Sequence, residues 1–358
     1  MEKTSQRRPA ARHRRLAFAL AALALVGSLS ACGSVRYVSQ SAWGGLRLMA
    51  KREPISRLLD KDRLQDRERR SLEQILEMRD FATRELGLPD NKSYRSYVDV
   101  GRPWVTWSVT AAPADSVRPL VWCFPVAGCV SYRGYFSQRR AERFAEKLRQ
   151  QGYDVATGPV TAFSTLGWFA DPVLNTFLGR RPADVAGLVF HELSHQVVYV
   201  KDDTSFNESF ATAVEILGQK RWLESVGRPD DFERVLEERA AQESFVKLVL
   251  EARGALDDVY SNAEAGEVAK LKEQAFERLS QRYEETHEDW DPDRRYAGWF
   301  ARELNNAHLV QVGSYHQHVD FFLALFERQG GFSEFYEAVA EMARLSPEER
   351  NEALSSSD

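Results

Sequence analysis

Cysteine is scarce, with three residues in a chain of 358. Cys123 and Cys129 have no second pair elsewhere, so a four-thiolate zinc ribbon or finger is excluded. Basic stripes interleaved with aromatics are also absent. The formal charge is −5, and setting aside the first 31 residues leaves 42 basic against 52 acidic ones. A chain this acidic gives no support for nucleic-acid binding. No internal repeat and no low-complexity tract precedes the closing Ser-Ser-Ser-Asp, so no solenoid is expected. Long hydrophobic runs are limited to residues 16–31, a stretch too short and too abruptly ended for a comfortable membrane span.

What remains is ordinary for a soluble globular protein: 43% hydrophobic and 28% charged residues, enough to bury a sizeable core. The N-terminus reads as a targeting segment, since basic residues ending at Arg15 precede the apolar run. That run closes with Leu-Ser-Ala-Cys, which resembles the lipobox of a bacterial lipoprotein signal. The resemblance implies cleavage before Cys32 and lipidation of its thiol. Gly33 in place of an aspartate implies sorting to the outer membrane of a Gram-negative bacterium, with the chain periplasmic and held to the membrane through its lipid anchor. The plainer alternative is a secretory signal with an incidental cysteine. In an oxidising compartment Cys123 and Cys129 are candidates for a disulfide across the Pro125–Gly128 turn, with two buried free thiols as the alternative.

Organisation follows from periodicity. Residues 54–87 read as helical, with Leu58, Leu59, Leu64, Leu72, Ile75, Leu76 and Met78 at helical spacing. Between Tyr94 and Val126 aromatic and β-branched content favours strands. An amphipathic helix starts at Ser137 and ends at Gly152, one or two strands follow, and from Pro182 nearly everything is helical. The expected fold class is α+β, predominantly helical, with a small N-terminal strand region. Its expected divisions are a signal peptide (1–31), a tether and start of the mature chain (32–53), a single large domain (54–350) and a flexible tail (351–358).

The informative stretch is LVFHELSHQVVYVKDDTSFNESFATAVE, beginning at Leu188. His191 and His195, four residues apart on a helix, project from one face and can share one zinc ion. Glu192 lies on the adjoining side, where it can accept a proton from a zinc-bound water without entering the coordination shell. Leu188, Val189, Phe190, Leu193, Val197 and Val198 would bury this helix, and buried ionisable residues need partners or a metal. The alternative is two core histidines satisfied by hydrogen bonds.

A catalytic zinc needs a third protein ligand and an open position. Val198 and Lys201 occupy the positions of the metzincin glycine and third histidine, which excludes that solution. Asp202, Asp203, Glu208 and Glu215 are the candidates. Glu208 and Glu215 lie about 10 Å apart along a helix axis at 1.5 Å per residue, so both cannot ligate one ion. Glu208 is nearer the turn that returns the chain to His195, leaving Glu215 to orient a histidine from outside. Ser205 and Glu208 also match a capping box, an alternative use for the same carboxylate.

Asn207-Glu208 is similar to the asparagine-glutamate motif of gluzincin peptidases, in which that glutamate binds zinc from a second helix. Together with WCFPVAGCVSYRGYF, AFSTLGWFADPVL and the lipoprotein signal, the motif resembles a family of bacterial zinc-peptidase lipoproteins described as aminopeptidases, over nearly the whole mature chain. The resemblance implies a zincin-like fold, Zn2+ as cofactor, peptide substrates and exopeptidase activity. It departs from the large gluzincin aminopeptidases in its short spacer and in lacking their amine-anchoring segment, for which Asp171 is a substitute candidate. Ala162–Phe169 is a candidate substrate-binding edge strand. Tyr315, with His316 and His318 behind it, is the preferred oxyanion donor, with Tyr199, Tyr283 and Tyr296 as alternatives and simple packing as the plain reading. Asn305 and Asn306 are read as supporting or helix-surface residues. The expected function is zinc-dependent peptide hydrolysis. The alternative is a non-catalytic envelope lipoprotein with a structural zinc or a peptide-binding role.

Overall fold

A computed structural model describes residues 37–61, 64–124, 128–161, 170–264, 266–312 and 318–355. Residues 37–50 form a helix, α1, in a unit comprising residues 1–50. Residues 51–358 form a second compact unit.

The helical stretch expected over 54–87 is two helices, α2 (Ile55–Leu59) and α3 (Asp66–Leu86). The break has a local cause. Gln65 caps α3 through a box in which its backbone N–H donates to Glu68 Oε2 at 3.2 Å, so the chain restarts there. Gly87, left-handed at φ 65°, ends α3.

The strands among the described residues are short and form three small sheets. A three-stranded sheet joins β1 (Glu53–Pro54), β2 (Ser96–Val98) and β8 (Val173–Leu174), with β2 central and parallel to β8. A second sheet is antiparallel, with β3 (Thr106–Pro113) between β6 (Tyr132–Tyr135) and β7 (Tyr153–Val160). α4 (Gln138–Arg149) connects β6 to β7. β4 (Trp122–Phe124) and β5 (Gly128–Val130) make a hairpin in which Cys123 sits opposite Cys129 and is bonded to it. The pair is thus a disulfide. The turn residues 125–127 lie outside the described residues.

The helical part begins with α5 (Pro182–Ser194) and α6 (Thr204–Ser225), packed against each other. Two glycines set their approach. A Cβ on Gly187 would come within 2.4 Å of Gln219 Nε2, and one on Gly218 within 2.6 Å of Phe190 Cδ2. α7 (Asp231–Asn262) and α8 (Val268–Trp290) form a long pair, followed by α9 (Ala297–Phe300), α10 (Asn306–Gln311), α11 (Val319–Gln329), α12 (Phe332–Met342) and α13 (Pro347–Ser355). The observed class is α+β and predominantly helical.

Behind α6, Phe206 and Phe210 pack edge-on against Phe322 of α11, and Phe210 also meets Phe335 and Tyr336 of α12. Each buried aromatic contributes about 2–3 kcal/mol by area, which holds α6 to the C-terminal helices. α13 continues five residues past the boundary expected at 350, because Arg350 and Leu354 are buried. Asn306 is no surface residue either. Fully buried, it donates to the Pro113 and Ser116 carbonyls and accepts from Tyr260, tying α10 to the end of β3.

Candidate metal centre

His191 lies in the last turn of α5, and its carbonyl accepts a hydrogen bond from Ser194 Oγ at 2.6 Å. The regular helix ends at Ser194, yet His195 keeps helical backbone angles as its C-cap. The two imidazoles therefore still share a face, with ring centroids 5.0 Å apart.

The chain returns within nine residues, and the return is locked by side chains. Asn207 accepts from the Val200 N–H at 2.8 Å and donates to the Val200 carbonyl at 2.7 Å. Asp203 caps α6 by accepting from the Phe206 N–H at 3.1 Å and also accepts from Arg350 Nε at 2.7 Å. With Asp203 as the cap, the alternative box of Ser205 and Glu208 is not formed. Asp202, at φ 63°, lies on the hairpin side of the loop, where a Cβ on Gly128 would meet its Oδ1 at 3.1 Å.

Glu208 is directed at both histidines. Its Oε2 is 3.2 Å from His191 Nε2 and its Oε1 is 3.7 Å from His195 Nε2. Ligand atoms of His191, His195 and Glu208 all fall within 4.8 Å of one another, a group able to hold a metal ion. Glu215 takes the other edge of the His191 ring, with Oε2 3.1 Å from Nδ1. A proton on Nδ1, donated to Glu215, leaves the Nε2 lone pair facing the group.

Electrostatics fit a cation. Burial opposes charge on His191, but hydrogen bonds to Glu208 and Glu215 outweigh it and raise the imidazole to about 10. Burial, with His191 beside it, pushes His195 down to about 4 despite the pull of Glu208. One imidazole thus carries a proton between two carboxylates while the other stays neutral. In such a donor set a divalent ion can displace the proton. The set, two imidazoles and one carboxylate, is of the kind that binds zinc with a position left open. His195 is 4% exposed at its side chain and Glu208 32%, so the group is anchored on one side and reachable on the other. Glu192, half-buried, lines a pocket with His191 and Glu215.

A sequence model of the family described as "Putative aminopeptidase" matches residues 36–354. The chain belongs to that family. No curated protein and no solved structure matches it. In this aminopeptidase-family chain the matched region takes in the whole His191–Glu215 constellation.

Other expected site residues are placed differently. Tyr315, His316 and the segment Ala162–Phe169 lie outside the described residues, as does Cys32. Tyr283 is buried and donates to Asp291 at 3.0 Å, and Tyr296 stacks on Phe245 at 4.3 Å. Tyr283 belongs to the hydrophobic cluster that includes α7 and α8, and Tyr296 packs against it. Tyr199 is the alternative beside the histidines, half exposed, with its ring 6.3 Å from His195. His318 donates its backbone N–H to Ser209 Oγ at 3.3 Å, next to Glu208. Asp171 is fully buried, which closes it to a substrate ammonium. The Asn207 clamp and Arg350 are not among the residues expected from the sequence. The asparagine beside Glu208 was the visible signal for the first; nothing local marked the second.

Proposed function

We propose that the chain is a zinc-dependent peptidase of the envelope, lipid-anchored through Cys32 and acting as an aminopeptidase on peptides. The observation that supports it is the convergence of His191 Nε2, His195 Nε2 and Glu208, with Glu192 alongside but outside the group. His191, His195 and Glu208 would hold the ion. The chemistry a bound zinc supplies is Lewis acidity, which makes water reactive toward an amide carbonyl near neutral pH.

The remaining work falls to the chain. Glu192 is placed to take a proton from water and pass it to the leaving amine. Glu215 fixes the His191 tautomer. Asn207 and Asp203 hold the loop that presents Glu208. A purely structural ion is disfavoured by the opening of Glu208 to solvent, 32% exposed at its side chain. A closed site has four ligands.

The test is digestion of a peptide mixture by the purified protein, read by mass spectrometry with metal content measured in parallel. Cleavage that a chelator removes and zinc restores is expected. No cleavage by zinc-loaded protein, or cleavage indifferent to the chelator, would refute the proposal. Acetylated peptides test the exopeptidase direction, and their cleavage at the rate of free ones would make this an endopeptidase. Cys32→Ser should move the protein out of the membrane fraction; unchanged processing and association would disprove the anchor.

A further inference from the structure

Beside Glu192 a pocket of about 320 Å³ runs between α5, α6 and α7. Its lining is chemically uneven. Leu188, Ile216 and Val235 give it apolar walls, and four carboxylates and two arginines stand among its lining residues. Counted without their partners, those carboxylates suggest a site for a cation.

The partners reverse that reading. Arg181 grips Asp184 through Nε and Nη2, at 3.0 and 2.6 Å, and also pairs with Glu238. Glu238 is further faced by Arg234 at 3.2 Å and Arg295 at 3.6 Å. Glu215 is committed to His191. Three of the four acids, Asp184, Glu238 and Glu215, are therefore already engaged by these groups.

The pocket's arginines are committed differently. Arg239 is 18% exposed at its side chain, and its ion-pair partner is Glu243, bound through Nε at 3.3 Å and itself 61% exposed. A partner so open to water contributes little and is readily exchanged for another carboxylate. Arg180, exposed at the rim, donates to the neutral Thr161 hydroxyl at 2.6 Å. Arg180 also lines a neighbouring pocket of about 270 Å³ with Arg67 and Arg70. The four arginines of the two pockets match in number the four carboxylates of the first, and with Asp184 and Glu238 facing Arg181, Arg234 and Arg295, and Glu215 facing His191, the ground can take an anionic ligand.

We propose that the pocket beside Glu192 is a subsite for a carboxylate-bearing substrate residue, with Arg239 gripping the carboxylate and Arg180 guiding it at the rim. The inference rests on the peptidase reading for its substrate class. The apolar walls fit the methylene stem of a glutamate side chain, and a planar guanidinium matches a carboxylate in two-point geometry. The carboxylate could also be a peptide's own C-terminus; the test separates the two.

The experiment measures binding by calorimetry to zinc-loaded, full-length Glu192→Gln protein, which holds peptides without turnover. The probes are short peptides with either Glu or Gln at one position, each with a free or amidated C-terminus. Expected is about 10- to 100-fold tighter binding of the Glu peptide than the Gln peptide, as for a charge-assisted hydrogen bond. Adding Arg239→Gln should erase that difference, and Arg239→Lys should restore part of it. A difference that follows the free C-terminus instead assigns the pocket to the terminal carboxylate. Equal binding of all four peptides, or a preference that survives Arg239→Gln in folded, zinc-retaining protein, would overturn the proposal. The parallel digest by the wild-type protein keeps the two readings apart. Cleavage without acidic preference removes the subsite and leaves the peptidase, whereas Arg239-dependent binding without any cleavage does the reverse.

Discussion

Asn207→Ala is the most informative structural perturbation. The side chain is 2% exposed and makes two hydrogen bonds to one residue, at 2.8 Å to the Val200 N–H and 2.7 Å to its carbonyl. Alanine removes both, and each is worth about 1 kcal/mol net. Val200 is only half-buried, so water can partly satisfy the two backbone groups left behind. The expected loss is therefore about 2–3 kcal/mol, less than for a fully buried pair. The second consequence concerns the metal. Glu208 follows Asn207 directly and approaches the two imidazoles at 3.2 and 3.7 Å, so a loosened loop should weaken zinc binding by about 10- to 100-fold, as removal of a supporting group does. Thermal melts of the metal-free protein give the first quantity and competition with a chromophoric chelator the second. A variant that melts earlier with unchanged zinc affinity would show that the clamp serves folding alone. Unchanged values of both would refute the reasoning entirely.

Further outcomes follow from the same geometry. Glu208→Ala should abolish or greatly weaken zinc binding, while Glu215→Ala should lower affinity about 10- to 100-fold; metal content after dialysis against a weak chelator decides, and the opposite ranking would exchange their roles. Arg350→Ala should destabilise by about 3 kcal/mol, since it strands Asp203 without its guanidinium partner; a chemical denaturation midpoint equal to wild type would contradict this.

How far the sequence reached depends on the range of each interaction. The proximity of His191 and His195 follows from helix period alone, and the approach of Glu208 from the shortness of the return, so both were legible. The cap of α6 was not: Ser205-x-x-Glu208 matched a capping box, but Asp203 lies two residues earlier, where its carboxylate reaches the Phe206 N–H. The break between α2 and α3 was hidden because Leu58, Leu64 and Leu72 maintain an apolar pattern across it. Contacts over long separations left no local trace. Arg350 reaching Asp203, Asn306 reaching Pro113, and α7 walling the pocket beside Glu192 depend on how helices pack, and no spacing within one segment encodes that.

The central claim is that Glu192 does chemistry at a metal it does not bind. Glu192→Gln keeps the shape of the side chain and removes its basicity. Zinc content and peptide hydrolysis measured on the same preparation test the claim most directly. The account predicts one zinc per chain, as in wild type, with hydrolysis reduced at least about 100-fold. Wild-type turnover by the variant would contradict it, as would loss of the metal from a folded protein.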